Sequence, residues 1–274
     1  MAAQRSPPPV RVAIAGLGAI GLKVADALDT GIPGCTLAAV SARNAGPAAE
    51  RLSQLKRAVP VVAIDELEPL ADIVVECAPA GLLAQIVEPF LRAGKKAIVL
   101  SCGALLQHDR LVNLARTCGG QIIVPTGALI GLDAVAAAAE GEIFSVRMIT
   151  RKPIAGLAGA PYLIENNIEI DSIKQPLLLF KGSARAAAAG FPANLNVAVA
   201  LSLAGIGADR TMLEIWADPD LDRNTHRIEV DADSARFSMA IENIPSGNPR
   251  TGRITALSVI SCLRKMNVPQ RVGS

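Results

Sequence analysis

Along the first 125 residues, short apolar runs alternate with stretches whose apolar residues recur at helical spacing. VRVAIA (10–15), TLAAVSA (36–42), VPVVAI (59–64), ADIVVECA (71–78), KAIVLSC (96–102) and QIIVP (121–125) are apolar on both faces, as strands buried inside a parallel sheet must be. Between them AIGLKVADALDT (19–30), PAAERLSQLK (47–56), a stretch running to Arg92 and QHDRLVNLARTC (107–118) carry helix-spaced apolar positions. Strand and helix in this rhythm predict an α/β, doubly wound parallel sheet with helices on both faces.

After Pro125 the rhythm changes. Helical patterns at 131–141, 183–191 and 194–207 are mixed with strand patterns at 143–153, 176–182, 211–219, 226–232 and 235–245, and 154–175 is irregular. The last two strands are expected to form a hairpin across Asp233-Ser234. Strands gathered toward the end predict a second, smaller α+β domain, an antiparallel sheet with helices on one face. A helix follows at 251–266. The expected division is a disordered lead-in over 1–9, a dinucleotide-binding domain over 10–125 and an α+β substrate and dimerisation domain over 126–250. The helix and tail over 251–274 are expected to pack back near the first domain.

Composition narrows the function without naming it. Hydrophobic residues make up 51% and charged residues 19%, with a net charge of +2. That is a core-rich globular chain with no electrostatic case for nucleic acid. MAAQRSPPP lacks the apolar segment of a secretory signal, and charged, Gly or Pro residues interrupt every apolar run before membrane length, so a cytoplasmic protein with no membrane partner is expected. The five cysteines show no metal-ligand spacing and are expected to be reduced and mostly buried; no metal site is expected.

The first candidate site is GLGAIG, which follows the first strand and opens the first helix. Gly16, Gly18 and Gly21 fit G-x-G-x-x-G in the context a dinucleotide requires, so the sheet is expected to be of the Rossmann type. The phosphates would lie along Gly16, Leu17, Gly18, Ala19, Ile20 and Gly21, at the N-terminus of the helix. No Asp or Glu lies between Thr36 and Ala49, where NAD-specific chains place an acid for the ribose. Ser41 and Arg43 stand there instead, a hydroxyl and a planar cation suited to a 2′-phosphate, which slightly favours NADP over NAD. Ala78-Pro79 and Ser101-Cys102-Gly103 follow later strands at the ends where such sheets bind ligand, and are expected to touch the nicotinamide half.

The second candidate site is NTHRIEV (224–230). His226 is one of only two histidines, and His108 lies in a polar, exposed-looking context. Imine chemistry moves protons near neutrality, which suits an imidazole. Asn224 would share its face. Cationic anchors for substrate carboxylates are sought among Lys152, Arg250, Arg151 and Arg210, with Lys152 and Arg250 preferred.

VAIAGLGAIG, VLSCGAL (99–105), PTGALIGLDA (125–134), GSARAAAAGFPANLNVAVALSLAGIGADRT (182–211) and ADPDLDRNTHRIEV (217–230) together resemble the L-aspartate dehydrogenase family over nearly the whole chain. The resemblance implies NAD(P)-dependent, reversible oxidative deamination of L-aspartate to oxaloacetate and ammonia through iminosuccinate. It also implies a catalytic role for His226 and nicotinamide-side contacts from Ala128 and Asn196. NPRTG departs from the NPKTS-like segment of that family: Arg250 keeps the charge, and Gly252 drops a hydroxyl. Two alternatives stay open, another two-domain NADP-dependent oxidoreductase acting on a small carboxylic acid and a non-catalytic NADP-binding protein. A homodimer through an exposed sheet face is expected.

Overall fold

In a computed structural model of the chain, the described residues are 8–192, 195–246 and 252–273. The chain divides into two compact units. One comprises the residues up to Pro125 with Ala256–Val272, and the other is built mainly from Thr126–Thr255. Of the expected lead-in only Pro8 and Pro9 are described, exposed and without regular structure; residues 1–7 lie outside the described residues.

The first unit carries strands β1 (Val10–Ala15), β2 (Cys35–Ser41), β3 (Ile73–Glu76), β4 (Lys96–Val99) and β5 (Gln121–Ile123), all parallel, in the order β2-β1-β3-β4-β5. Helices α1 (Ala19–Gly31), α2 (Ala45–Leu52), α3 (Leu67–Leu70), α4 (Leu83–Arg92), α5 (Cys102–Leu105) and α6 (Asp109–Cys118) connect them. Period-two alternation sends Val12, Ile14, Val40 and Val75 to one face, against Val24 and Leu28 of α1. It sends Ala13, Ala15, Ala39 and Ala97 to the other, where α4 lays down Ile86, Val87, Phe90 and Leu91. Small residues on that face let the large α4 side chains approach, and each fully buried Leu, Ile or Phe contributes roughly 2 kcal/mol of transfer free energy. VPVVAI does not become a strand. Val61 makes an isolated bridge to Val40, and Pro60, which has no N–H, cannot extend the ladder.

The second unit carries α7 (Leu132–Ala138), β6 (Ile143–Lys152), α8 (Pro161–Glu165), β7 (Leu177–Ser183), α9 (Ala184–Gly190), α10 (Asn196–Ala204), β8 (Thr211–Ala217), β9 (Asn224–Ala232) and β10 (Arg236–Asn243). The sheet order is β10-β9-β6-β8-β7. The sheet is mixed rather than antiparallel, because β6 and β8 run parallel. The long excursion through β7, α9 and α10 supplies the crossover that parallel neighbours need. The β9–β10 hairpin turns at Asp233-Ser234, with the Ala232 N–H donating to Ala235. Part of the stretch expected to be irregular is the short helix α8.

One face of this sheet is buried, with Val146, Met148, Thr150 and Lys152 of β6 beside the even-numbered residues of β9. The other face carries an ion-pair network: Glu214 accepts from Arg147 at 2.9 Å and pairs with Lys181 at 3.3 Å. A final helix, α11 (Ile254–Lys265), places Val259, Ile260 and Leu263 in the same core cluster as Val12 and Ile14. No helix among the described residues is long and apolar enough to cross a membrane.

Candidate active site

β1 runs straight into the glycine turn. Gly16 takes φ +103, and a Cβ there would lie 2.6 Å from the Cys77 carbonyl oxygen, so only glycine fits. Its N–H donates to the Ser41 carbonyl at 2.7 Å, tying the turn to the end of β2. A Cβ at Gly21 would overlap the Gly16 carbonyl oxygen, which explains how closely α1 approaches β1. Gly18 is different, because its missing Cβ would meet nothing within 4 Å. It caps α1 without a side-chain hydrogen bond, and the first turn of α1 has no acidic residue. Bare N–H groups, a favourable helix dipole and open space beside Gly18 fit the pyrophosphate of a dinucleotide. Leu17 is buried in the core and Ala19 is exposed, so this segment offers its backbone rather than its side chains. At the end of β2, Ser41 is buried and Arg43 is exposed.

The ends of β3 and β4 are joined by a residue that the sequence reading did not single out. Glu76 closes β3 with no exposure at all. Its carboxylate accepts from the Leu100 N–H at 3.1 Å, the Ser101 N–H at 2.9 Å and the Ser101 hydroxyl at 3.0 Å. Burial raises its pKa, and the N–H and hydroxyl donors oppose that rise. Cys102 has its thiol pushed up to about 12, by burial and then by Glu76, which disfavours the thiolate that a nucleophile needs. Cys77 is raised further for the same two reasons. Contrary to expectation, Cys35, Cys118 and Cys262 are only half-buried; Cys102 is buried, and Cys77 leaves part of its residue exposed while its thiol is shut away from solvent. His108 is likewise half-buried at the start of α6 rather than exposed.

In the second unit, β9 begins at Asn224, two residues earlier than the pattern suggested, so Asn224 and His226 share the buried face. Thr150 lies directly opposite His226 in the β6–β9 register, and its hydroxyl is 3.2 Å from Nδ1 of the ring. Thr150, rather than Asn224, is therefore the hydrogen-bonding neighbour of the imidazole. One residue beyond the Arg151–Thr225 pair, Lys152 falls level with Asn224 and is 4% exposed. Among the described residues, Asn224 Oδ1 has no hydrogen-bond partner. Arg151 points to the other face, toward Asp218 at 3.4 Å and 5.3 Å from the Trp216 ring centre, so it is not beside His226. Arg210 donates to the Ile143 carbonyl. Arg250 lies outside the described residues. Asn196 opens α10 and is exposed.

Asn243, also missed, faces Asn224 across β9–β10 and donates from Nδ2 to the Ala128 carbonyl at 2.9 Å, which pins the TGAL turn. Gly252 packs against it, and a Cβ there would lie 3.0 Å from Asn243 Oδ1. A larger residue at 252 would thus require Asn243 to shift.

Two family models cover the chain: "Homoserine dehydrogenase, NAD binding domain" over residues 16–125 and "Aspartate dehydrogenase, C-terminal" over residues 133–266. An L-aspartate dehydrogenase of Bradyrhizobium diazoefficiens is 62% identical over 265 residues, covering 97% of this chain and 94% of that protein. L-aspartate dehydrogenase 3 of Bordetella bronchiseptica is 62% identical, covering 96% and 97%. The crystal structure of aspartate dehydrogenase from Thermotoga maritima matches with a TM-score of 0.74 at 25% identity, covering 96% and 99%. This chain belongs to the L-aspartate dehydrogenase family.

One feature of this family member departs from the sequence-based expectation of a histidine titrating near neutrality. Burial, and then the Lys152 charge, push the His226 pKa down to about 3. The folded chain therefore holds a neutral imidazole where the unfolded chain, with a pKa of about 6.5, is protonated below that pH. Between these two values the unfolded state binds the extra proton, so stability falls as pH falls from about 6.5 toward 3. At pH 5 the cost is about 2 kcal/mol. Trp216, the only tryptophan, lies in the same sheet and reports its unfolding. Between pH 7 and pH 5 the wild-type chain is expected to lose about 2 kcal/mol more than His226→Asn in denaturant titrations followed by tryptophan fluorescence. Parallel losses in the two proteins would refute the depressed pKa.

Proposed function

We propose that this chain is an NAD(P)-dependent L-aspartate dehydrogenase that removes hydride from C2 of L-aspartate and hydrolyses the resulting iminosuccinate to oxaloacetate and ammonia, reversibly. The observation that carries the reading is the buried pairing of His226 with Thr150 on the sheet face that also bears Lys152. The cofactor supplies the hydride acceptor when bound. The Gly16–Gly21 turn would hold its pyrophosphate through backbone N–H groups, and Ala78, Pro79, Ser101, Cys102 and Gly103 would serve its nicotinamide half; in the second unit, Ala128 and Asn196 are the residues assigned to cofactor contact. Lys152 takes a substrate carboxylate, helped by Asn224 and Arg250. Burial is the larger cause of the low His226 pKa and the Lys152 charge the smaller; a carboxylate beside Lys152 offsets the smaller one and shifts His226 upward. His226 then accepts the proton of the attacking water and returns it to the departing nitrogen.

Ser41 and Arg43 support acceptance of NADP, with a modest preference over NAD. Steady-state assays with L-aspartate and each cofactor, and in reverse with oxaloacetate, ammonia and the reduced cofactor, test the activity; absence of turnover in both directions would sink it. Arg43→Ala is expected to raise KM for NADP about tenfold and to leave KM for NAD within about twofold. Equal effects on both would remove Arg43 from the 2′-phosphate site.

A homodimer fits the outward face of the second sheet, where Leu178, Met212 and Trp216 lie together around Glu214. Sedimentation at twice the 28.3 kDa of one chain checks it. A cytoplasmic location fits five free thiols.

A further inference from the structure

The geometry points to Glu76 as a charge-selective residue of the cofactor site, one whose fixed negative charge makes the chain favour oxidised over reduced nicotinamide dinucleotide. The inference rests on the proposed reading that the Gly16 turn binds NAD(P).

Glu76 stands where the sheet order reverses. β2 lies beside β1 on one side, while β3, β4 and β5 extend on the other, and ligands of such sheets enter at this switch point. Glu76 is in register with Ala15, the residue before Gly16, and with Val99 of β4. The next carbonyl, that of Cys77, is the atom that excludes a Cβ at Gly16. With the pyrophosphate at the glycine turn and the ribose phosphate side at Ser41 and Arg43, the nicotinamide half extends over the ends of β3 and β4. Those are the two turns that Glu76 holds.

The carboxylate is held by the N–H groups of Ala78, Leu100 and Ser101 and by the Ser101 hydroxyl. The Ser101 hydroxyl is spent on Glu76 and does not cap α5. The backbone N–H donors cannot accept and so favour the anion, while the Ser101 hydroxyl serves either form. Among the described residues, no Lys or Arg forms an ion pair with it. A buried anion without a cation is costly, and replacement by a neutral group would relieve that cost. The oxidised nicotinamide ring carries a positive charge and the reduced ring carries none, so only the oxidised cofactor completes the charge balance. A unit charge about 10 Å away, at an effective dielectric of about 20, changes an affinity roughly tenfold.

The test titrates the full chain, without substrate, at pH 8 with NADP+ and NADPH and again with NAD+ and NADH. Glu76→Gln is expected to weaken binding of the oxidised form about tenfold and to move the reduced form by less than about threefold, while Glu76→Asp keeps the wild-type ratio. A merely structural role would move both forms together, and that result, or an unmoved ratio, overturns the inference while leaving the proposed function standing. A wild-type chain that binds neither form overturns both. Should Glu76→Gln fail to fold, the wild-type chain decides: oxidised cofactor bound no more weakly than reduced supports the inference, and reduced cofactor bound more than about threefold tighter overturns it.

Discussion

Replacing His226 by alanine is expected to lower kcat about a thousandfold while leaving the dissociation constant of the dinucleotide within about twofold. The residue is buried on the second unit's sheet, 3.2 Å from the Thr150 hydroxyl and under the influence of the Lys152 charge. As a neutral base it handles the protons of imine hydrolysis, a contribution worth about 10²–10⁴ in rate. The loss is therefore expected in kcat and kcat/KM together, with KM for aspartate changed far less. Steady-state kinetics combined with cofactor titration separates these terms. A variant with near-normal kcat would remove His226 from the mechanism.

Gly16→Ala is expected to abolish measurable dinucleotide binding and to destabilise the chain by about 3 kcal/mol. Two independent costs combine at this position. Its φ of +103 is one that L-residues rarely adopt, and the added Cβ would stand 2.6 Å from the Cys77 carbonyl oxygen. Relief requires the turn to move away from β3, which also strains the 2.7 Å hydrogen bond from Gly16 to Ser41. Gly18→Ala makes the control. Its Cβ meets no protein atom within 4 Å, so it is expected to fold normally and to weaken only cofactor binding. Thermal melts and cofactor titrations of the two variants check the contrast. Equal melting temperatures for Gly16→Ala and the wild-type chain would contradict the steric account.

The first sheet was legible in the sequence because its inner strands β1, β3 and β4 are largely buried on both faces and so appear as continuous apolar runs. VPVVAI carried the same signal and did not become a strand, since Pro60 lacks the N–H that a ladder needs. The second sheet was legible as strands but not as a mixed sheet. Whether β6 and β8 run parallel depends on the excursion between them, and no local periodicity records it. Glu76 and Asn243 escaped notice for a shared reason. Each is the last residue of its strand, where a polar side chain looks like the start of a loop. What marks Glu76, in retrospect, is an acid closing the wholly apolar run IVV. The low pKa of His226 was not legible at all. It depends on burial in the folded sheet and then on the charge of Lys152, a residue distant along the chain.

The most direct test of the account uses L-aspartate carrying deuterium at C2, with NADP+ or NAD+ and the wild-type chain, followed by mass spectrometry of the reduced cofactor. The account predicts one deuterium in the dihydronicotinamide ring for each oxaloacetate formed. Reduced cofactor without deuterium, or no reduction at all, would contradict it.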